Sequence, residues 1–189
     1  MADIMKALVS EGKSREIRCD PITHALITIS DDEAHMHGGK FWFIKTWLDI
    51  DKGTTPTVYM MFITPPMPDR VHAFTQLAAE SEFTISIFRD AVLTDNGTPM
   101  APQNVDQNLR TVPGLQPFVG PTVSDEGELI WGAKVGIGRT AGVNMSTNYE
   151  IIAASNTIYL YKIEKIEAAT HWLDVDFWWY EAASKEILG

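Results

Sequence analysis

Six strand-like runs, separated by turn-forming residues, constrain the fold of this chain more than any other feature. Each run is rich in Ile, Val, Thr, Phe, Tyr and Trp, and each is bounded by Gly, Pro, Asn or Asp. The runs are IRCDPITHALITIS, GGKFWFIKTWLDID, TPTVYMMFITP, FTISIFRDAVL, NYEIIAASNTIYLYKIEKIE and THWLDVDFWWYE. They recur at intervals of about ten to twenty residues, which predicts an all-β sandwich or barrel.

Several runs alternate as a half-buried strand does. In FTISIFRD, the residues Phe83, Ile85 and Ile87 share one face. The closing run places one apolar set on a face that we expect to be core: His171, Leu173, Val175, Phe177 and Trp179. The opposite face begins polar and ends aromatic: Trp172, Asp174, Asp176, Trp178 and Tyr180. Either the chain itself or a neighbouring subunit must cover the last two, and we favour cover by the chain's own long loop.

The second run is apolar on both sides. Phe41, Phe43 and Trp47 alternate with Trp42 and Ile44. A strand with two apolar faces is typical of the centre of a sandwich, so we expect this strand to be central.

The length of 189 residues suits one domain. We expect residues 1–20 to form an N-terminal arm or short helix, because Ile4, Met5, Leu8 and Val9 have a loose helical spacing. Residues 21–189 are expected to form a single β-sandwich domain. Within it, PDRVHAFTQLAAESE has apolar spacing that suits a turn or two of helix between strands.

Residues 96–142 differ in composition from the rest of the chain. They carry five of the ten prolines and eight of the thirteen glycines. An unstructured loop of this length is unusual in a compact domain, so we expect an ordered excursion or a segment that lies on a partner. Function concentrates in such segments.

Charge and cysteine content exclude several classes of protein. A net charge of -10 with no basic run argues against a nucleic-acid partner. We expect no secretory signal and no membrane span, since no suitable apolar stretch is present. The single cysteine, Cys19, excludes an internal disulfide framework and suits a reducing cytoplasm.

The histidines His35 and His37 are the sharpest candidate metal ligands. Residues two apart on a strand point to the same side, so both imidazoles can reach one ion. No carboxylate follows until Asp49, however, whereas a cupin-like site needs a Glu shortly after the second His. The pair is therefore a weak candidate, and an exposed strand end before the Gly38-Gly39 turn is the plainer interpretation.

Other candidate chemistry is weaker still. Asp49 and Asp51 share a face near Asp31, Asp32 and Glu33, but the spacing is not that of a calcium loop. The chain has no G-x-S-x-G sequence, and GAKVGIGRTAG matches no phosphate-binding pattern. We therefore expect a protein that is not an enzyme and that needs no cofactor.

Three stretches, taken in order, carry a resemblance to a known family. They are HALITISDDEAHMHGGKFWFIKTWLDIDKGTTPTVYMMFITP, EFTISIFRDAVLTDNGTPMAPQNVDQN and EIIAASNTIYLYKIEKIEAATHWLDVDFWWYE. Their order resembles a family of tailed-bacteriophage virion proteins, small β-sandwich proteins of the capsid-decoration (cement or head-associated) type. The resemblance spans roughly residues 22–182. In the family, NRNR-like residues stand where this chain has Pro102 to Asn108.

The resemblance implies a jelly-roll-like sandwich that binds the major capsid protein on the outside of the shell and stabilises the head. It also implies a homo-oligomer, for which a trimer is the expectation, synthesised in the host cytoplasm. A tail, neck or baseplate component is the alternative within the virion. A cupin-like metal-binding or carbohydrate-binding β-sandwich is the alternative from another class.

A few apolar anchors usually dominate an interface. We expect the interface residues to be Phe118, Leu129, Ile130, Trp131, Trp178 and Tyr180, with the N-terminal arm interlocking neighbouring subunits.

Overall fold

A computed structural model gives the structure of the chain over ten ranges of residues. It describes residues 5–9, 13–17, 38–50, 56–67, 69–79, 82–109, 111–135, 143–146, 151–166 and 171–183. No helix occurs in these ranges, and their regular structure consists of β-strands. The predicted all-β class is confirmed.

Sixteen strands lie in the described residues. The first eight are β1 (Met5–Val9), β2 (Lys13–Ile17), β3 (Phe41–Ile50), β4 (Thr57–Ile63), β5 (Asp69–Ala79), β6 (Phe83–Arg89), β7 (Val92–Asp95) and β8 (Thr98–Pro99). The second eight are β9 (Gln103–Asn104), β10 (Gln116–Val119), β11 (Thr122–Asp125), β12 (Glu128–Val135), β13 (Val143–Ser146), β14 (Ile151–Ala153), β15 (Ile158–Lys165) and β16 (His171–Ala183).

Two six-stranded antiparallel sheets form the sandwich. The first sheet has the order β12-β6-β15-β4-β10-β8. The second sheet has the order β13-β5-β16-β3-β9, and β14 also pairs with β5. The strands β1 and β2 form a separate antiparallel pair.

The core lies between the two sheets and consists of the alternate side chains of each strand that point inward. The inner face of β16 is buried as predicted, at Leu173, Val175, Phe177 and Trp179. The inner face of β6 meets it from the first sheet, at Phe83, Ile85 and Ile87, and all seven residues belong to one hydrophobic cluster.

Aromatic rings and one hydrogen bond join the two sheets. The ring of Phe62, on β4, stacks on the ring of Phe177 at a centroid distance of 4.0 Å. The hydroxyls of Tyr161 and Thr75 lie 3.3 Å apart across the same core. Tyr161 therefore places a polar group in the core without leaving it unpaired.

The residues from 89 to 97 and from 119 to 127 have matching backbone conformations, 30 positions apart. Asp90 and Gly120 have φ values of 60° and 68°, and Gly97 and Gly127 have φ values of 80° and 82°. In each segment a short strand follows, β7 or β11, and these two strands pair with each other. We call this pair the crossed ribbon.

The crossed ribbon belongs to two similar connections within the first sheet. The chain passes from β6 through β7 to β8, and β8 pairs with β10 on the other side of the sheet. It passes from β10 through β11 to β12, and β12 pairs with β6. The two connections therefore cross. The ribbon packs on the outer face of the first sheet through Leu93 and Val123, against Met61 and Leu160. The sheet is therefore buried on both faces at its centre.

One carboxyl group and one amide hold the long Pro/Gly-rich segment on the second sheet. The carboxyl oxygens of Glu181 accept hydrogen bonds from the backbone N–H groups of Gly114 at 2.9 Å and Leu115 at 2.8 Å. The side chain of Asn104 donates to the carbonyl of Gly39 at 2.8 Å and to Thr111 Oγ1 at 2.7 Å. Buried backbone groups of an irregular segment need partners, and these side chains supply them.

Two expectations of helix differ from the structure. Residues 69–79 form the strand β5, and the predicted turn of helix is wrong there because β5 pairs along its whole length with β16. Met5–Val9 is a strand paired with Lys13–Ile17, so the helical option for the N-terminal arm is wrong at those residues. The described part of the predicted excursion, 96–109 and 111–135, contributes strands to both sheets.

The prediction that β3 is central holds only at its beginning. On one side β3 pairs with β16 along its whole length, but on the other side β9 pairs with it only at Trp42 and Phe43. Beyond that point no strand of the described ranges pairs with β3 on this side, and the side chain of Trp47 is 74% exposed.

Candidate binding surfaces

The outer face of the second sheet carries a row of aromatic side chains. Since the inner face of β16 is core, its alternate residues lie outside, and the register places β3 and β5 residues beside them. We define the aromatic face by six of these residues: Phe41, Phe43, Trp47, Phe74, Trp172 and Trp178.

One end of the aromatic face is a compact group of rings. Trp178 stacks on Phe43 at 5.5 Å and meets Phe41 edge-on at 6.3 Å. Tyr180 stacks on His72 at 4.5 Å, and its hydroxyl lies 3.0 Å from His72 Nδ1. Such pairs add stability beyond the area that they bury.

The predicted cover by the chain's own segment applies to one of the two aromatic residues. Tyr180 is buried, and Val105, from the Pro/Gly-rich segment, packs against the cluster that it forms with Phe41. Trp178 remains 38% exposed. The neighbouring aromatic rings thus support Trp178 from the sides without closing over it.

The middle of this outer face is polar. Lys45 Nζ lies 3.0 Å from Asp174 Oδ2 and 3.3 Å from Asp176 Oδ1. The hydrogen bond to Asp174 raises the pKa of Lys45 above its ordinary value, with a smaller contribution from Asp176. The second oxygen of Asp174, Oδ1, is enclosed and has no hydrogen-bond partner among the described residues.

Two further indoles lie at the other end of the aromatic face. Trp47 is paired directly with Asp174, and Trp172 precedes Asp174 by two residues on the same strand. The two indoles are therefore diagonal neighbours, with Trp172 41% exposed. Aromatic side chains thus lie on both sides of the ion pairs.

Among the strands that the structure describes, β12 is the last on one side of the first sheet, and it exposes apolar side chains. Leu129 is 58% exposed and Ile130 is 39% exposed. The register shifts between Leu129 and Trp131, so Ile130 is the extra residue of a bulge against β6. We call the exposed part of this strand, Leu129 and Ile130, the β12 edge.

The structure distributes the six predicted interface residues over three places. Leu129 and Ile130 lie on the β12 edge, while Trp131 turns inward and packs against the core. Phe118 is half-buried beneath the crossed ribbon. The remaining two, Trp178 and Tyr180, belong to the second sheet, so the six residues do not form one continuous patch.

A small polar network anchors the turn that precedes β12. Glu126 accepts a hydrogen bond from the hydroxyl of Tyr59 at 2.8 Å and lies 3.0 Å from Lys162 Nζ. Burial alone raises the pKa of Glu126, but the bonds from Lys162 and Tyr59 outweigh it and hold the pKa below its usual value. The network ties the crossed ribbon to the outer face of the first sheet.

The candidate metal ligands His35 and His37 lie outside the described residues, as do Cys19 and Asp51. Within the ranges that the structure describes, no cluster of three or more His, Cys, Asp or Glu side chains is arranged to hold a metal ion. The same ranges contain no helix long and apolar enough to cross a membrane.

Sequence reasoning missed the pairing of Trp47 with the β16 face. The alternation placed Trp47 on the correct side of β3, but the interpretation of that strand as apolar on both sides implied burial. The available signal was Lys45, a charged residue on the same side as Trp47, which indicates a face in contact with solvent.

Comparisons with known proteins give no family. No protein-family model matches the chain, and no curated protein matches it. Among solved structures, a chain from the "Structure of infectious bursal disease virus Gt strain" aligns with 97% of this chain at 14% identity and a TM-score of 0.17. The aligned part is 46% of that viral chain, and the TM-score is too low to indicate a shared fold.

Proposed function

We propose that the chain is a structural protein of a bacteriophage virion, a capsid decoration protein that binds the outside of the shell and stabilises the head. The order of the three sequence stretches supports this proposal, and so does the β-sandwich fold. In this proposal the chain acts by binding and carries out no chemistry. Its partners are the major capsid protein and other copies of itself, with a trimer expected and with no nucleic acid or membrane involved.

The observation that carries the proposal is the β12 edge. An edge strand offers backbone N–H and C=O groups on its open side, and an incoming strand or loop of another protein can pair with them. Leu129 and Ile130 add apolar side chains at the same place. Apolar anchors of this kind dominate the binding energy of many interfaces.

The acidic composition agrees with a position on the capsid exterior. The net charge of -10 would be repelled by packaged DNA, whereas an outer position avoids that repulsion. A tail, neck or baseplate component would use the same fold and the same edge, because a fold does not determine a function. Copy number separates these two positions.

The first test is quantitative mass spectrometry of purified virions, with the major capsid protein as the internal reference. A decoration protein is expected at a ratio near one, or at a simple fraction such as one third. A few to a few tens of copies per virion would instead indicate a component of the tail or neck. Its absence from the virion would overturn the structural proposal.

A second test places a charge on the β12 edge. Leu129→Asp is expected to weaken binding to undecorated heads in a co-sedimentation assay, since a carboxylate would replace an apolar anchor. Val112→Asp is the matched control, because Val112 is 89% exposed and lies outside the strands. Equal binding of the two variants would contradict the assignment of the interface to this edge.

A further inference from the structure

We propose that the aromatic face binds a carbohydrate chain, along the line of β16. This inference goes beyond the proposed function and does not depend on it, since it concerns the opposite sheet of the sandwich. It rests on three observations: the exposure of three indoles, the polar groups between them and their spacing.

The indoles of Trp47, Trp172 and Trp178 are exposed on one face of one sheet. Isolated apolar side chains on a surface are common, but several large rings on one face indicate a binding site. A pyranose ring presents a flat face of C–H groups, and the face of an indole is an apolar surface of similar shape. Stacking of the two removes apolar area from water without burying the sugar hydroxyls.

The polar groups of the same face suit the hydroxyls at the edge of a sugar ring. Asp174 and Asp176 offer carboxylate acceptors, and Lys45 offers an ammonium donor. The side chains of Asp174 and Asp176 are 17% and 21% exposed, so sugar hydroxyls can reach the exposed part of these carboxylates.

These charges favour a glycan over a protein as the occupant. The centre of a protein–protein interface is typically depleted of charged residues, whereas here three charged side chains lie between the aromatic rings. An apolar protein surface placed on this face would bury the ion pairs between Lys45 and the two aspartates, and that desolvation is unfavourable. A sugar chain replaces water at these groups with its own hydroxyls.

The spacing of the rings indicates a chain of several sugars. Trp172 and Trp178 are six residues apart on one strand, which corresponds to about 20 Å. Trp47 lies diagonally beside Trp172, at about 7–8 Å between backbones. The three indoles therefore form a line with a pair at one end and a single ring at the other, an arrangement that a polysaccharide can follow and a monosaccharide cannot span.

The test is native affinity electrophoresis of the full chain in gels that contain dextran, hydroxyethylcellulose, galactomannan or xylan. At least one of these polysaccharides is expected to retard the protein and to change its tryptophan fluorescence in solution. Trp47→Ala and Trp172→Ala are each expected to weaken binding about tenfold, as removal of one stacking ring does. Val92→Ala is the control, because Val92 is 55% exposed on the crossed ribbon of the other sheet and belongs to neither proposed binding surface, so this variant should bind as the parent does.

Three results would overturn the proposal. One is that none of the four polysaccharides retards the parent chain, and another is that retardation persists unchanged in Trp47→Ala and Trp172→Ala. The third is self-association of the parent in sedimentation that Trp47→Ala abolishes, since a second copy would then occupy the face. None of these outcomes affects the copy number in virions, so failure here is distinct from failure of the proposed function.

Discussion

Replacement of Glu181 tests how the Pro/Gly-rich segment is held on the sandwich. The side chain is buried, with 8% exposed, and its oxygens accept from the backbone N–H groups of Gly114 and Leu115. The indole N–H of Trp179 donates to the same carboxyl at 3.3 Å. Three donors from separate positions therefore depend on one side chain.

The magnitude follows from the donors left without a partner. A buried N–H group that loses its acceptor costs about 1–3 kcal/mol, so Glu181→Ala should lower the free energy of unfolding by about 2–6 kcal/mol through the two backbone groups. Glu181→Gln keeps one acceptor oxygen and turns the other into a donor that faces an N–H group. Its cost should be about 1–3 kcal/mol, from one unsatisfied pair.

Urea denaturation followed by tryptophan fluorescence measures these differences, because the midpoint shifts with stability when the slope is unchanged. Glu128→Gln is the matched control. The side chain of Glu128 is 62% exposed and pairs with Arg89 at the surface. Such a pair contributes about 0–1 kcal/mol. If Glu181→Gln destabilises the protein no more than Glu128→Gln does, the argument from buried donors is wrong.

Two further predictions concern the core and the crossed ribbon. Burial raises the pKa of Tyr161 to about 12, so the folded state keeps a proton that the unfolded state releases above about pH 10. This group should leave the free energy of unfolding unchanged below that pH. Between pH 10 and 12 it should lower the free energy of unfolding by up to about 1.4 kcal/mol per pH unit. Denaturation at about pH 9 and about pH 11 should therefore show a smaller loss of stability in Tyr161→Phe than in the parent protein. At the ribbon, an alanine Cβ at Gly127 would collide with the carbonyl oxygen of Arg89, whereas at Gly120 it would meet no atom within 4 Å. Both glycines have positive φ, so Gly120→Ala should lower the free energy of unfolding by about 1–2 kcal/mol from backbone strain alone. Gly127→Ala should lower it clearly more, because the collision adds to the strain. Equal melting temperatures of the two variants would refute the steric argument.

The sequence predicted the strands whose inner residues are large and apolar. In β16 and β6 every second residue is strongly hydrophobic, so the alternation is clear without knowledge of the partner strands. In β5 the inner face includes Ala73 and Thr75, which weaken the signal, while Phe74 lies on the outer face. The apolar spacing then fits a helix, and only the pairing with β16 decides for a strand.

The candidate surfaces were less accessible to sequence reasoning, because they depend on register. Trp47 and Trp172 are 125 positions apart, and their proximity follows from the pairing of β3 with β16. The partial burial of Phe118 depends similarly on the crossed ribbon, which covers its side chain from outside. No local pattern states which strand lies beside which, so the residues were identified but their grouping was not.

The crossing of the two ribbon strands also has a consequence for how the chain reaches its native state. One arm of the crossing consists of β7 and β8 and starts from β6, and the other consists of β11 and β12 and starts from β10. The strand β8 pairs with β10 and the strand β12 pairs with β6, so each arm ends on the strand from which the other arm starts. Because β7 and β11 also pair with each other, neither arm can complete its pairing until both are in place. Such non-local pairings require loop closure before any contact forms. The two arms should therefore form late, together and slowly, and should open together as one cooperative unit when the native protein fluctuates.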